Sequence, residues 1–187
     1  MAQFGKKELS FGFIVLSPEH NIGRIQGTIR SIRNHYGNVP VVCITGEDIT
    51  PAELKEIKAV CPAHKGGATI TSLLNLGMKK GHNEWNFFVM EGTWVRRGLQ
   101  HKFAYWIEDE RDVLFPIVVD YDRDGRPVKI YKDFEECSLN GLCMNQKFFK
   151  AIGNFSENPL DVSKRFWQFE ANDRGGKFKA ILGAKLL

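Results

Sequence analysis

Three short apolar runs, separated by stretches with helical periodicity, constrain the fold of this chain more than any other feature. The runs are FGFIVLS at 11–17, VPVVCIT at 39–45 and WNFFVM at 85–90. Continuous apolar runs of this length are typical of strands buried on both faces of a parallel sheet. Parallel strands need long crossover connections, so the helical stretches between the runs predict βαβ units.

The connecting stretches carry their own helix signals. Residues 21–36 place isoleucines at helical spacing, with Asn21 as the N-cap and Gly37 as the stop. The sequence TPAE at 50–53 has the form of a capping box with proline at the first helical position, which predicts a helix over 51–60. Two glycines at 66–67 lead into a third predicted helix at about 68–80.

The second half has a different pattern. Apolar residues at 95, 99, 103 and 106 predict a helix, and a strand is expected over 112–121. The sequence DRDG at 122–125 predicts a hairpin turn returning through 128–131. The longer sequence DYDRDG at 120–125 matches the first half of an EF-hand loop, but the twelfth position of that loop is Tyr131. Two more helices, 145–152 and 161–169, and a strand at 178–182 complete the prediction. The expected fold is a single α/β domain with a mostly parallel central sheet, helices on both faces and an antiparallel hairpin in the second half.

Composition excludes some functions. The chain has 187 residues, 43% of them hydrophobic, and a net charge of +4 without a dense basic stripe, so no nucleic-acid partner is predicted. No apolar run approaches about 18 residues, so no transmembrane segment is expected. The four cysteines show no CxxC spacing, and no signal-peptide pattern is evident, which favours reduced thiols and a cytoplasmic location.

Five segments together resemble a known family. They are FGFIVLSPEHNIGRIQGTIRSI, VPVVCITGED, GGATITSLLNLGMKKGHNEWNFFVMEGTW, LNGLCMNQKFFKAIGNFSE and DVSKR at 161–165. Their order resembles the glycosyltransferase A fold, in particular the large inverting family of nucleotide-sugar transferases, over about residues 11–182. The resemblance implies one nucleotide-diphospho-sugar transferase-like domain over 1–187. Its nucleotide-binding half would be about 11–94 and its acceptor half about 95–183.

The resemblance also implies a function. It predicts an enzyme that binds a UDP- or GDP-linked sugar and transfers the sugar to an unknown acceptor. The family's Asp-x-Asp metal motif falls on Glu91, Gly92 and Thr93, so Glu91 and Thr93 are the predicted ligands of Mg²⁺ or Mn²⁺. Because only one carboxylate is present, two alternatives stay open. One is a degenerate nucleotide-sugar binder without turnover, and the other is a structural or interaction protein on the same scaffold.

The remaining candidate residues follow from the strand ends and from the resemblance. Glu157 and Asp161 are the candidate catalytic bases, although Asp161 is also a candidate N-cap. Trp94 is either a residue that stacks on a sugar or a core residue, and core packing is expected. Arg96 is either a diphosphate contact or the solvated start of a helix. The predicted nucleotide and donor contacts are Ser17, Glu19, Glu47, Asp48, Lys65, Gly67 and Arg96.

Overall fold

A computed structural model describes residues 10–46, 50, 52–53, 57, 69–99, 112–116, 118–121, 124, 126–131, 140–157 and 175–181. Three helices in these residues are α1 (Ile22–Tyr36), α2 (Ile70–Lys80) and α3 (Gln146–Ile152). The strands they accompany are β1 (Phe11–Ser17), β2 (Val41–Thr45), β3 (Trp85–Met90), β4 (Val113–Pro116), β5 (Val118–Tyr121), β6 (Pro127–Tyr131), β7 (Cys143–Asn145) and β8 (Phe178–Ile181).

The central sheet has the strand order β2-β1-β3-β7-β4-β8. β1 pairs in parallel with both β2 and β3, and β4 pairs in parallel with β8, whereas β7 is antiparallel to its neighbours β3 and β4. Ser17 pairs with Thr45, and Leu16 pairs with Met90. The carboxyl ends of β1, β2 and β3 therefore lie on one edge, as the sequence predicts.

Helices cover both faces of this sheet. Successive side chains of a strand point to opposite faces, so each buried strand packs against both helical layers. Phe13 and Val15 of β1 belong to one buried cluster, which also contains the isoleucines of α1. Ile14 and Leu16 belong to a second buried cluster with residues of α2, including Leu73. This alternation confirms the prediction that the apolar runs are strands buried on both sides.

The predicted helix boundaries are confirmed at several caps. The Asn21 side chain accepts from the Arg24 N–H at 3.0 Å, and the Thr69 side chain accepts from the Ser72 N–H at 3.1 Å. In the TPAE sequence, the Thr50 N–H donates to Glu53 Oε2 at 2.7 Å, and Ala52, Glu53 and Ile57 are helical. The remainder of that predicted helix, and the predicted helix at 161–169, lie outside the described residues.

Two predictions for the second half are wrong in detail, and one strand was not predicted. The expected strand over 112–121 is two strands, since β4 joins the central sheet and β5 forms a separate two-stranded sheet with β6. The helix predicted from Val95 does not begin there, because Val95 lies in an isolated bridge and Gly98 has a φ of +87°. β7 was not predicted because three residues are too few to show an apolar pattern. The β5–β6 hairpin is confirmed.

Candidate functional site

The strand order places a topological switch point at the carboxyl ends of β1 and β3. From β1 the chain passes through α1 to β2 on one side, and from β2 it crosses back through α2 to β3 on the other. Ligands of open α/β sheets bind outside the carboxyl ends of the strands at such a reversal of strand order. Ser17 ends β1, and Glu91 directly follows β3. These two predicted site residues are therefore at the switch point.

Glu91 connects the end of β3 to the end of β1 and to the start of α1. Its Oε2 atom accepts hydrogen bonds from the Ser17 hydroxyl and, at 3.1 Å, from the Asn21 N–H. Ser17 is fully buried, and Asn21 caps the first turn of α1. A carboxylate at a helix N-terminus is stabilised by the helix dipole and by the free N–H groups there. Ser17, Asn21 and Glu91, named here the switch-point cluster, thus tie the β1–α1 loop to the end of β3.

The other oxygen of Glu91 has a different environment. Oε1 is buried and has no hydrogen-bond partner within the part of the chain that the structure describes. A buried polar atom without a partner carries an energetic cost, and such atoms in folded proteins usually have a ligand, ion or water as partner. Oε1 is therefore a buried acceptor at the switch point that no described residue satisfies.

Thr93 stabilises the turn that follows Glu91. Its hydroxyl donates to Asn140 Oδ1 at 3.1 Å, and the same oxygen accepts from the Met90 N–H at 3.1 Å. Gly92, with a φ of +83°, makes the turn possible because this backbone conformation disfavours side chains. Asn140 was not among the predicted site residues, and its position between a leucine and a glycine carries no specific signal. Thr93 and Asn140 thus fix the backbone from which Glu91 projects.

The donor set around Glu91 limits how a cation would be held. The described residues contain no group of three or more histidine, cysteine, aspartate or glutamate side chains close enough to bind a metal. The Thr93 hydroxyl proton is used by Asn140, and Thr93 is only 6% exposed. Glu91 Oε1 is the available carboxylate oxygen. A hard cation held here would therefore need most of its oxygen ligands from a diphosphate and from water.

The loop between β1 and α1 has a second anchor. His20 has a φ of +52°, the one positive value among the described residues other than glycine. Its Nε2 atom lies 3.3 Å from Glu53 Oε1, which links the loop to the capping box. Strained backbone of this kind is often found at functional sites. Glu19, in the same loop, forms an exposed ion pair with Arg24 at 2.9 Å.

The chain after Thr93 leads away from the switch-point cluster. The Val95 N–H donates to Ser31 Oγ at 3.0 Å, and the Tyr36 hydroxyl donates to the Arg96 carbonyl at 2.7 Å. The segment therefore runs along α1 towards its last residue, and the backbone of Arg96 lies near that end rather than beside Glu91. Trp94 is 48% exposed, so the expectation that it packs in the core is wrong.

Glu157 lies at a separate position, beside α2. Its Oε1 atom accepts from Asn75 Nδ2 at 2.7 Å, and Asn75 is buried in α2. α2 and the switch-point helix α1 cover opposite faces of the sheet. The other predicted site residues lie outside the described residues, and they are Glu47, Asp48, Lys65, Gly67 and Asp161.

The mixed sheet with helices on both faces defines a glycosyltransferase A-like fold. A crystal structure of S. aureus TarS residues 1–349 has a TM-score of 0.66 and 13% identity, covering 92% of this chain and 58% of that chain. A second structure of S. aureus TarS has a TM-score of 0.65 and 14% identity, covering 94% of this chain and 35% of that one. TarS is a glycosyltransferase, and this chain spans less than two thirds of its length.

Comparisons of sequence add nothing to this likeness of fold. No protein-family profile matches the chain, and no curated protein matches it in sequence. No helix in the described ranges is long and apolar enough to cross a membrane.

Proposed function

We propose that this chain binds a nucleotide-sugar, with its diphosphate at the switch-point cluster, and transfers the sugar to an acceptor hydroxyl. The observation that carries the proposal is the buried Oε1 atom of Glu91, which has no partner among the described residues and lies where sheets of this kind bind ligands. The glycosyltransferase A-like fold supports the same substrate class. The sugar, the base and the acceptor are open.

Each residue has a definite task in this proposal. Glu91 Oε1 would hold one face of a Mg²⁺ or Mn²⁺ ion, which neutralises the charge that develops on the departing diphosphate. Ser17 and Asn21 would keep the Glu91 carboxylate in place through Oε2. Glu19 in the β1–α1 loop and its partner Arg24 in the first turn of α1 would face the nucleotide as a polar rim.

The transfer step needs a base for the acceptor, and Glu157 is the candidate that the structure describes. The acceptor oxygen would attack the anomeric carbon while its proton moves to the Glu157 carboxylate. The bond between that carbon and the diphosphate oxygen would break, and the diphosphate would leave with the electron pair. A single positioned base of this kind typically contributes about 10²–10⁴ in rate.

A catalytically degenerate binder is the second candidate, and one observation favours it. Glu91 is the one carboxylate of the switch-point cluster, and position 93 is a threonine where the transferases of the resemblance have a second aspartate, so a cation would be held less tightly. Such a protein would bind nucleotide-sugars at the same cluster without releasing nucleoside diphosphate. Turnover of bound donor separates the two candidates.

Nucleotide binding can be tested by thermal unfolding with UDP, GDP and their sugars, each with and without Mn²⁺. A ligand at 100 times its Kd stabilises the native state by about 2.7 kcal/mol. For a chain of this size each kcal/mol raises the Tm by roughly 2–4 °C, so a rise of roughly 5–11 °C is expected. If no nucleotide raises the Tm, with or without Mn²⁺, both candidates are wrong and a structural or interaction protein remains.

A further inference from the structure

The Asn75 side chain makes three hydrogen bonds at the point where the chain after α3 crosses α2. Asn75 is 1% exposed and lies in the middle of α2. Its Oδ1 atom accepts from the Phe155 N–H at 2.9 Å, and its Nδ2 atom donates to the Phe155 carbonyl at 2.8 Å and to Glu157 Oε1 at 2.7 Å. The reverse orientation of the amide would place acceptor against acceptor, so these contacts define one orientation.

The crossing segment is held firmly at Phe155. Gly153 caps the C-terminus of α3, and its N–H donates to the Phe149 carbonyl at 2.9 Å. The chain then crosses α2. The Phe155 side chain is 1% exposed and packs against Phe149, with 6.0 Å between the ring centroids. The buried backbone of Phe155 finds partners in the Asn75 amide instead of a neighbouring strand.

The two hydrogen bonds to the Phe155 backbone hold the crossing segment against α2, and the third hydrogen bond reaches the exposed carboxylate of Glu157. Glu157 lies on the surface, where a glutamate side chain normally samples many rotamers. A buried amide that donates to one of its oxygens restricts those rotamers and leaves Oε2 as the oxygen to receive a proton. The arrangement suits a carboxylate that must point in one direction.

The direction of the helices places Glu157 towards the site edge. α2 connects β2 to the parallel strand β3, so it begins at the carboxyl edge of the sheet and runs away from it. Gln146 Nε2, at the start of α3, donates to the Met78 carbonyl near the end of α2, whereas Phe155 and Glu157 reach Asn75, which comes earlier in α2. Between 146 and 157 the chain therefore advances along α2 towards the edge that carries Glu91.

We propose that Asn75 is a positioning residue that orients the Glu157 carboxylate for proton transfer from the acceptor. This inference rests on the proposed function, since it assigns Asn75 a part in the same transfer step. The matched variants are Asn75→Asp and Asn86→Asp. Asn86 is another fully buried asparagine, and its Nδ2 atom donates to Gln146 Oε1 at 3.0 Å, not to Glu157.

The first measurement is the release of nucleoside diphosphate from the UDP- or GDP-linked sugar that gives the largest thermal shift, with water as acceptor. Asn75→Asp keeps the acceptor for the Phe155 N–H, but it removes the donor to the Phe155 carbonyl and places a second carboxylate against Glu157. Its kcat should fall about 10–100-fold, because small misplacements of a reacting group cost rates of this order. The KM for the donor should stay within a factor of about 3, since no donor contact changes. Asn86→Asp should keep the kcat within the same factor.

The second measurement is amide hydrogen exchange of the crossing segment. Asn75→Asp should lower the protection of the Phe155 N–H, because the new carboxylate faces both the Phe155 carbonyl and Glu157. Adding Glu157→Gln should restore the part of the protection that is lost through Glu157. In this double variant the new amide at position 157 can donate to the carboxylate that the first substitution places at position 75. The double variant should nevertheless stay inactive, since it has no base at position 157.

The outcomes separate the inference from the function on which it rests. Turnover with an unchanged kcat in Asn75→Asp, or an equal loss of kcat in Asn75→Asp and Asn86→Asp, would overturn the positioning role alone. Failure of the double variant to restore protection would show that the Asn75–Glu157 contact is not what holds Glu157. No thermal shift with any nucleotide would overturn the proposed function, and the positioning role with it.

Discussion

Replacing Glu91 with alanine removes both the hydrogen bonds across the switch point and the oxygen that we propose as a ligand of the bound cation. The fully buried Ser17 hydroxyl and the Asn21 N–H each lose a hydrogen bond to a charged group. Such bonds contribute about 1.5–3 kcal/mol when buried, and the exposed Asn21 bond contributes less, so we expect a loss of about 2–4 kcal/mol. For a chain of this size the Tm should fall by roughly 4–16 °C.

Glu91→Gln separates the two roles because the two side chains have nearly the same shape. One oxygen of glutamine can still accept from Ser17 and Asn21, whereas its amide nitrogen takes the place of Oε1. We therefore expect this variant to lose about 1 kcal/mol, mainly the charge at the start of α1. The part of the nucleotide-induced Tm rise that depends on Mn²⁺ should disappear, since an amide nitrogen does not bind a hard cation.

The assay is thermal unfolding of the unmodified chain and both variants, with and without the nucleotide and Mn²⁺. Ser17→Ala is the control, because it removes one donor to Oε2 and leaves Oε1 in place. A Mn²⁺-dependent shift that survives unchanged in Glu91→Gln would refute the assignment of Oε1 as a ligand. Equal stability of Glu91→Ala and the unmodified chain would refute the structural role of Oε2.

Three further predictions concern stability and reactivity. A Cβ at Gly77 would lie 2.6 Å from Ile14 Cγ2, so Gly77→Ala should lower the free energy of unfolding by about 1–3 kcal/mol. Gly27 has open space around its Cα, so Gly27→Ala should raise the free energy of unfolding by about 0.5–1 kcal/mol. Urea unfolding of both variants tests this pair of predictions. Hydrogen bonds from Thr50 hold the pKa of Glu53 below its ordinary 4.5. The stabilising effect of Glu53 should therefore be present above pH 4.5 and lost as the pH falls through the lowered pKa. If the difference in unfolding free energy between the unmodified chain and Glu53→Ala does not become smaller in acid, this prediction is wrong. Burial raises the pKa of the Cys143 thiol well above its ordinary range, so Cys143 should react with a thiol reagent only on unfolding, as labelling followed by mass spectrometry can show.

The first half of the fold was predictable because its signals are local. β1 and β3 have the bounds that their apolar runs predict, and α1 begins at the asparagine and ends before the glycine that the sequence marks as its limits. Each of these elements is long enough for periodicity and caps to agree. β7, with three residues between β3 and β4, has no comparable signal, because its place depends on pairing with strands distant in sequence.

For the candidate site, the sequence predicted which residues lie at the strand ends but not the partners that these residues contact. The sequence predicts that Ser17 and Glu91 lie at strand ends on one edge, and the structure brings them together. It does not predict that one carboxylate oxygen holds the first turn of α1, nor that Trp94 is exposed, because both depend on the path of the chain after Gly92. Asn75 was missed for a similar reason, since its partners are about 80 residues away in sequence and hydrogen-bond reach is a property of the folded chain.

The two carboxylates have complementary arrangements, and this is the strongest structural argument for a shared task. Glu91 has one oxygen held by the α1 side of the sheet, and Glu157 has one oxygen held by α2 on the other side. A carboxylate with one fixed and one available oxygen has a defined direction but keeps the capacity to bind a cation or accept a proton. A transferase needs one group of each kind on either side of the donor.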